Sequence, residues 1–185
     1  MTEQEKKQRV TIYVDGSNLY HKLKDLKIQN TTYFDYAGLC DYLSRGRQIT
    51  SKRYYVGTVR VKGNDLKAIK LRKNQQKLFE SLKKQGLVIK EGVLMVNNGQ
   101  YREKGVDVKI AVELLIGAYE NYYDTAIIIS SDTDLVPAIK HVKYMGKQVE
   151  YIGFAHLPSL GLQKVSNISR LLIEDELKPY ISTIK

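Results

Sequence analysis

The chain has 185 residues, of which 43% are hydrophobic and 27% charged, as is ordinary for one soluble globular domain. Lys and Arg outnumber Asp and Glu by 30 to 20, and this net charge of +10 favours polyanionic partners, nucleic acid before membrane. No apolar run approaches the ~20 residues of a membrane span, no N-terminal segment resembles a signal peptide, and the single cysteine excludes an intrachain disulfide and a cysteine-cluster zinc site. We therefore predict a cytoplasmic protein without membrane contact, with a tail over residues 1–9 and one domain over residues 10–185.

The predicted elements alternate between strands and helices. In chain order they are a strand over 10–15, helices over 17–27 and 34–45, a strand over 53–61, a helix over 64–85, a strand over 87–90, a hairpin over 92–101, a helix over 105–119, a strand over 126–130, a helix over 133–144, a strand over 148–152, a loop or short helix over 153–167, a strand over 170–173 and a helix over 174–181. This alternation predicts βαβ units and a mainly parallel sheet.

Three aspartates follow two of the predicted strands. Asp15 ends the apolar run 10–14, and Asp132 and Asp134 come directly after the run 126–131. Because the carboxyl ends of parallel strands share one edge of a sheet, we expect these carboxylates to lie close together. Each aspartate alone also suits a helix cap or a turn, so the prediction depends on their joint placement.

A fourth aspartate, Asp107, opens the helix predicted from residue 105. Ile110, Ala111 and Leu114 come after it at helical spacing, which places Asp107 on the face that packs inward. A carboxylate on that face is costly unless it is paired, protonated or bound to metal, although a first-turn acid also opposes the helix dipole. Converging carboxylates suit Mg²⁺ or Mn²⁺, and such a site supports phosphodiester hydrolysis. The sequence therefore predicts a metal-dependent nuclease.

Polar residues beside these aspartates are candidates for substrate contacts. Ser17 and Asn18 follow Asp15 and are predicted to reach the same crevice, where Asn18 orients a catalytic group or a phosphate. The alternative is that Ser17 caps the first helix and Asn18 lies in its first turn. Lys104 precedes Asp107 closely enough in sequence to meet a substrate phosphate, and a solvated loop lysine is the competing interpretation.

The helix over 64–85 is strongly basic. Lys70, Lys73, Lys77 and Lys84 fall on one face, with Arg60 and Lys62 ahead of the helix, so we predict that this face binds a nucleic-acid backbone. A solvated surface helix explains the same pattern about as well. On the opposite side, four apolar residues are expected to face the core: Leu66, Ile69, Phe79 and Leu82.

Tyrosine dominates the aromatic residues, with 14 Tyr against 3 Phe and no Trp. Exposed tyrosines can stack on unpaired bases, whereas half-buried tyrosines pack in strands and at helix ends. The candidates for stacking are Tyr54, Tyr55, Tyr101, Tyr122 and Tyr123, but most of them better suit half-buried positions in strands or at helix ends.

Three segments of the sequence resemble the signature segments of NYN domains, in the LabA-like group of the PIN-like nuclease superfamily. They read YVDGSN at 13–18, KGVDVK at 104–109 and SSDTDL at 130–135, and the resemblance extends from residue 10 to residue 173. It implies a Rossmann-like three-layer α/β/α sandwich with a mainly parallel central sheet, and a metal-dependent ribonuclease site.

The resemblance also implies roles for individual positions. Four residues match the acidic residues of the family: Asp15, Asp107, Asp132 and Asp134. Asn18 matches the asparagine after the first acid. Where the family often has a further acid near the C-terminus, this chain has Asn167, which is expected to fill that place without charge.

The combined prediction is a nuclease that uses Mg²⁺ or Mn²⁺ and acts on RNA rather than DNA. A non-catalytic RNA-binding or regulatory module that keeps the acidic pocket is the first alternative. A phosphatase of the haloacid dehalogenase kind, with Asp15 as nucleophile, is a weaker one, because that family has an acid where this chain has Ser17. The oligomeric state is left open, with a homo-oligomer among the options.

Overall fold

The computed structural model describes residues 7–59, 61, 63–97 and 100–181. The strands are β1 (Arg9–Asp15), β2 (Gln48–Val59), β3 (Val88–Asn97), β4 (Gln100–Lys104), β5 (Thr125–Ile129), β6 (Gln148–Phe154) and β7 (Ile168–Leu172). The α-helices are α1 (Gly16–Asp25), α2 (Tyr36–Ser44), α3 (Leu66–Lys84), α4 (Val106–Tyr119), α5 (Val136–Tyr144), α6 (Leu160–Val165) and α7 (Glu174–Leu177). Three 3-10 helices cover Thr31–Tyr33, Thr133–Leu135 and Lys178–Tyr180.

The seven strands form one sheet in the order β4-β3-β2-β1-β5-β6-β7. Every neighbouring pair is parallel except β3 and β4, which are antiparallel. From β1 the chain builds outward through β2 and β3, and from β5 it builds outward in the opposite direction through β6 and β7. The sheet therefore has its topological switch point between β1 and β5, where a crevice opens at the carboxyl ends of the strands.

Helices cover both faces of the sheet. The central strands favour this arrangement because their residues are apolar on each of the two faces. In β1, Ile12 and Val14 pack in the core with α1, α2, α3 and α7. Tyr13 packs in the other core, with α4, α5 and α6. The predicted three-layer α/β/α sandwich with a mainly parallel sheet is confirmed. In the part of the chain that the structure describes, no helix combines the length and apolar character needed to cross a membrane.

Several predicted element boundaries were wrong. β2 begins at Gln48, five residues before its predicted start, because this polar segment pairs with β1 from Arg9 onward. The predicted strand over 87–90 and the first arm of the predicted hairpin are one strand, β3, which pairs with β4; residues 98 and 99 lie outside the described part. At the C-terminus, Pro179 lies in a 3-10 helix, and the predicted single helix is divided in two.

The predicted core face of α3 was partly wrong. Leu66 and Ile69 are 80% and 44% exposed, whereas Ala68 and Leu82 are buried. The first turn of α3 therefore packs inward through Ala68, and Leu66 and Ile69 remain at the surface. In α4, Ile110 and Leu114 pack on the sheet as expected, but the second apolar side of the helix is exposed, with Val108 67% exposed.

Candidate functional site

Asp15 and Ser130 meet where β1 and β5 end. Val14 pairs with Ile129 in the parallel ladder, so the residues that come after them are neighbours at the edge of the sheet. The Ser130 hydroxyl donates a hydrogen bond to Asp15 Oδ2 at 2.9 Å, and the backbone N–H of Asp132 donates to Ser130 Oγ at 3.1 Å. Ser130 is 2% exposed. This buried hydroxyl links the carboxylate of Asp15 to the backbone of Asp132, and its position directly after an apolar strand was the one sequence signal for it.

Two of the aspartates also cap helices, as the structural alternative predicted. Asp15 Oδ1 accepts a hydrogen bond from the N–H of Asn18 at 3.0 Å, which caps α1. Asp132 Oδ1 accepts from the N–H of Asp134 at 2.8 Å, at the start of the Thr133–Leu135 helix. The caps fix the orientation of the carboxylates at the strand ends, so structural and functional roles are compatible here. Ser17 does not cap α1, contrary to one alternative.

Asp107, in the first turn of α4, completes the group. The pKa of Asp107 is raised from 3.8 to about 6, first by burial, then by the negative charges of Asp132, Asp15 and Asp134 and by a side-chain hydrogen bond to Asp132. Each of the other three predicted acids therefore lies close enough to Asp107 to affect its ionisation. The structure brings all four aspartates together at the switch point of the sheet.

A close backbone approach holds the start of α4 against β3. A Cβ atom added at Gly92 would lie 2.5 Å from Val106 Cγ2 and 3.1 Å from the backbone oxygen of Lys104. Gly105, which precedes the helix, has φ +78° and so occupies the left-handed region that glycine adopts most easily. These two glycines allow Asp107 to reach the edge of the sheet.

A charged cluster anchors the middle of α4 to the same face of the sheet. Glu113 forms ion pairs with Arg53 Nη1 at 2.9 Å and Lys90 Nζ at 3.0 Å, and it accepts a hydrogen bond from the Tyr55 hydroxyl at 2.8 Å. Burial alone would raise the pKa of Glu113, but the hydrogen bonds from Lys90 and Tyr55 and the charges of Lys90 and Arg53 lower it below its ordinary value. The cluster ties α4 to β2 and β3 and so fixes the helix that carries Asp107.

We expect Glu113→Gln to lower the free energy of unfolding by about 2 kcal/mol, because Arg53 and Lys90 would be left largely buried without their carboxylate. Since the pKa of Glu113 is depressed, its contribution is present above the unfolded-state pKa and is lost as the pH falls through the folded-state value. Urea unfolding at neutral pH measures the effect. Glu120→Gln, an exposed change at the end of the same helix, is the control and should change stability by less than about 0.5 kcal/mol.

The site fits a hard divalent cation by its chemistry. In the described residues, no three His, Cys, Asp or Glu side chains are arranged as a group that could hold a metal ion. The four aspartates nevertheless offer only carboxylate oxygens, the donors that Mg²⁺ and Mn²⁺ prefer. Every influence on the pKa of Asp107 is burial or another acid, so a positive charge placed among the four would relieve their repulsion.

The other predicted contact residues lie on α1, at the end of β4 and on α3. Ser17 and Asn18 are half-buried in the first turn of α1, directly beside Asp15. Lys104 is exposed at the end of β4, two residues before α4 begins. The α3 lysines are all exposed: Lys70, Lys73, Lys77 and Lys84. Arg60 and Lys62 lie outside the described residues.

Most of the tyrosines predicted to stack on bases do not face solvent. Tyr54, Tyr55 and Tyr123 are buried, and Tyr123 donates its hydroxyl to the backbone oxygen of Leu114 at 2.6 Å. These three do not stack on bases but follow the alternative interpretation, because their rings pack in the two cores and their hydroxyls are hydrogen-bonded internally. Tyr122 is exposed, and the side chain of Tyr101 lies outside the described part.

Asn167 is not part of the site. Its side-chain oxygen accepts a hydrogen bond from the N–H of Val149 at 2.9 Å, and its own N–H donates to the Val149 carbonyl at 2.8 Å. Val149 lies at the beginning of β6, at the edge of the sheet opposite Asp15. Asn167 therefore joins β6 to β7, and the prediction that it fills the place of a further acid was wrong.

Comparisons with known proteins agree with this architecture. The sequence profile described as NYN domain matches residues 9–169. No curated protein sequence gives a significant match. A crystal structure of a protein of unknown function from Vibrio parahaemolyticus is 20% identical and superposes with a TM-score of 0.71, over 94% of this chain and 98% of that one. At this identity the likeness shows the fold alone. A structure of T5 5′-exonuclease with bound divalent metal ions (zinc) is 13% identical, with a TM-score of 0.49, over 85% of this chain and 60% of that one.

Proposed function

This chain belongs to the NYN domain family, and we propose that it is a metal-dependent nuclease that hydrolyses phosphodiester bonds in RNA. Family membership supports a nuclease-type function in general. The observation that carries the proposal for this chain is the convergence of Asp15, Asp107, Asp132 and Asp134 at the switch point of the sheet, where open α/β sheets bind their ligands.

The four aspartates would hold Mg²⁺ or Mn²⁺. Such an ion, when bound, supplies the positive charge that activates a nucleophile and stabilises the charge that develops on phosphate oxygens. The protein contributes the placement of the carboxylates. Ser130 fixes Asp15, the cap at Asp132 fixes the second strand end, and the Gly92 contact fixes the start of α4.

Groups beside the aspartates would bind the substrate. Ser17 and Asn18 lie at the N-terminus of α1, where backbone N–H groups and the helix dipole favour a phosphate. Lys104, at the end of β4, would contact a neighbouring phosphate as a point charge. These contacts would position the scissile bond over the carboxylates.

The α3 lysines would extend the substrate path. α3 comes after β2, so it begins at the edge of the sheet that carries the aspartates and ends at the opposite edge, before β3. Lys70, Lys73 and Lys77 therefore lie in order away from the site, on the exposed side of the helix. Each phosphate contact of this kind contributes affinity that decreases with salt.

The test is cleavage of a labelled single-stranded RNA and of the matched DNA, with Mg²⁺, Mn²⁺ or EDTA. We expect metal-dependent cleavage of RNA that falls by about 10³-fold in Asp132→Asn, because one carboxylate of the group is lost. The asparagine oxygen can still accept the N–H of Asp134, so the cap and the fold are retained.

Unchanged hydrolysis by Asp132→Asn would contradict the proposed site. If the folded protein binds RNA but cuts neither RNA nor DNA with either metal, the nuclease proposal fails. That result would support the non-catalytic RNA-binding module instead. Preferential cleavage of DNA would overturn the choice of RNA but not the site.

A further inference from the structure

A cavity of about 680 Å³ lies between α5 and α6, on the face of the sheet opposite α3. Three lysines line it, Lys140 and Lys143 from α5 and Lys164 from α6, and no acidic residue does. It is open to solvent, and its volume is in the range of pockets that bind small organic ligands. The cavity is therefore a cationic pocket large enough for a nucleotide.

The cavity begins beside the aspartates. Thr133, which lines it, stands between Asp132 and Asp134 in the sequence. A Cβ atom added at Gly161, at the start of α6, would lie 2.9 Å from Thr133 Cγ2. The absence of a side chain at Gly161 lets α6 approach the segment that carries the acids, so the pocket and the acidic group share one wall.

The pocket leads away from the site along α5. Both α5 and α6 start at the edge that carries the aspartates and run toward the opposite edge. Because an α-helix rises about 1.5 Å per residue, Lys140 lies about 6 Å beyond Val136, which lines the pocket at the start of α5. A strand whose scissile phosphate lies at the aspartates would meet these lysines with a neighbouring nucleotide.

The lysines of the pocket have two different roles. Lys143 Nζ donates to the backbone oxygen of Val165 at 2.6 Å, which ties α5 to the end of α6. Lys140 and Lys164 are exposed at the walls of the cavity. Lys143 therefore maintains the pocket, and the other two ammonium groups are available for a ligand. Ammonium groups on flexible stems bind phosphate as point charges.

We propose that this pocket binds a nucleotide phosphate of the substrate strand next to the scissile bond. The inference rests on the proposed nuclease function and adds a second cationic surface, separate from α3. The phosphate belongs either to the backbone or to a 5′ terminus, and both present the same anionic oxygens to Lys140 and Lys164.

Binding in EDTA tests the pocket without cleavage. The probe is a single-stranded RNA with a 3′ fluorophore and either a 5′-phosphate or a 5′-hydroxyl, followed by fluorescence anisotropy. We expect Lys140→Ala/Lys164→Ala to bind about tenfold more weakly. The slope of log affinity against log salt concentration should become shallower by the equivalent of about one phosphate contact or more. A loss confined to the 5′-phosphorylated RNA identifies a terminal phosphate, and an equal loss on both identifies the backbone.

The matched control is Lys24→Ala/Lys83→Ala, which removes the same charge from exposed positions in the last turns of α1 and α3, at the edge away from the aspartates. Equal affinity of the pocket variant and the wild type for both RNAs would overturn the inference, as would an equal loss in the control. Affinities are compared only between variants whose melting temperatures match that of the wild type.

The outcomes for the pocket and for the nuclease are separable. Cleavage of RNA by a pocket variant that binds like wild type would leave the nuclease proposal intact and reject the pocket. Loss of binding in the pocket variant, in a protein that cuts no RNA, would keep the pocket as an RNA-binding element and reject the nuclease.

Discussion

Replacing Asp107 with asparagine is expected to stabilise the metal-free protein and to lower the rate of the proposed cleavage by about 10³-fold, since one ligand of the ion is lost. The stabilisation results from the arrangement of the acids. At neutral pH four carboxylates repel one another, and asparagine removes one charge with little change in shape. We expect a gain of about 1 kcal/mol, a modest value because Asp107 is only half-buried.

The gain should depend on pH in a defined direction. The pKa of Asp107 is raised from 3.8 to about 6, so the ionised group destabilises the folded state fully above the higher value and not at all below the lower one. Thermal unfolding in EDTA should show a melting temperature about 2–4 °C above wild type at pH 8 and no difference at about pH 4. Added Mg²⁺ or Mn²⁺ should stabilise the wild type more than the variant.

Asp124→Asn provides a control of opposite sign. Hydrogen bonds and the charge of Arg9 hold the pKa of Asp124 at about 2, and the Arg9–Asp124 ion pair has a distance of 2.7 Å. Removing this carboxylate should lower the melting temperature at neutral pH. An Asp107→Asn protein with unchanged stability in EDTA and unchanged cleavage would show that Asp107 acts outside the acidic group.

Gly92→Ala is expected to reduce cleavage by about 10²-fold, the cost of displacing a catalytic group by about 1 Å. The new Cβ would lie 2.5 Å from Val106 Cγ2, so the start of α4 must move, and Asp107 moves with it. The accompanying loss of stability should be about 1–2 kcal/mol, as is usual when a methyl group is forced into a packed contact. Single-turnover cleavage and urea unfolding measure the two effects.

A second substitution distinguishes displacement from general destabilisation. Val106→Ala removes the atom that the new methyl group would strike, so Gly92→Ala/Val106→Ala should recover most of the cleavage rate. Val106→Ala alone leaves the contact at Gly92 open and should lower stability more than it lowers cleavage. If Gly92→Ala cuts RNA like wild type, the approach of α4 to β3 does not position Asp107.

The sequence predicts the layers of this fold and the members of its acidic group. The apolar run before Asp15 and the run before Asp132 both form buried strands, and in a parallel sheet their carboxyl ends must share an edge. Helical spacing placed Asp107 on the inward side of α4. These relations are local, because they depend on periodicity and on the residues that come directly after a strand.

The features that the sequence did not predict depend on which strands are neighbours. The bridge from Ser130 to Asp15 requires the register between β1 and β5, which lie 115 residues apart at this contact. The position of Asn167 depends on the edge at which β7 begins. The burial of Tyr54 and Tyr55 also depends on which helices pack on β2, and the alternating pattern of one strand does not reveal those neighbours.

The distribution of cations over the two faces has a mechanical consequence. The α3 lysines lie on one outer layer, the pocket lysines on the other, and the aspartates lie between the two layers at the carboxyl-end edge of the sheet. A nucleic acid that reaches both layers must bend sharply around this edge within a few nucleotides. Duplex DNA, with a persistence length of about 50 nm, resists such curvature, whereas an unpaired strand bends with little cost. The shape of the molecule would thus select for flexibility in the proposed substrate before any base is read.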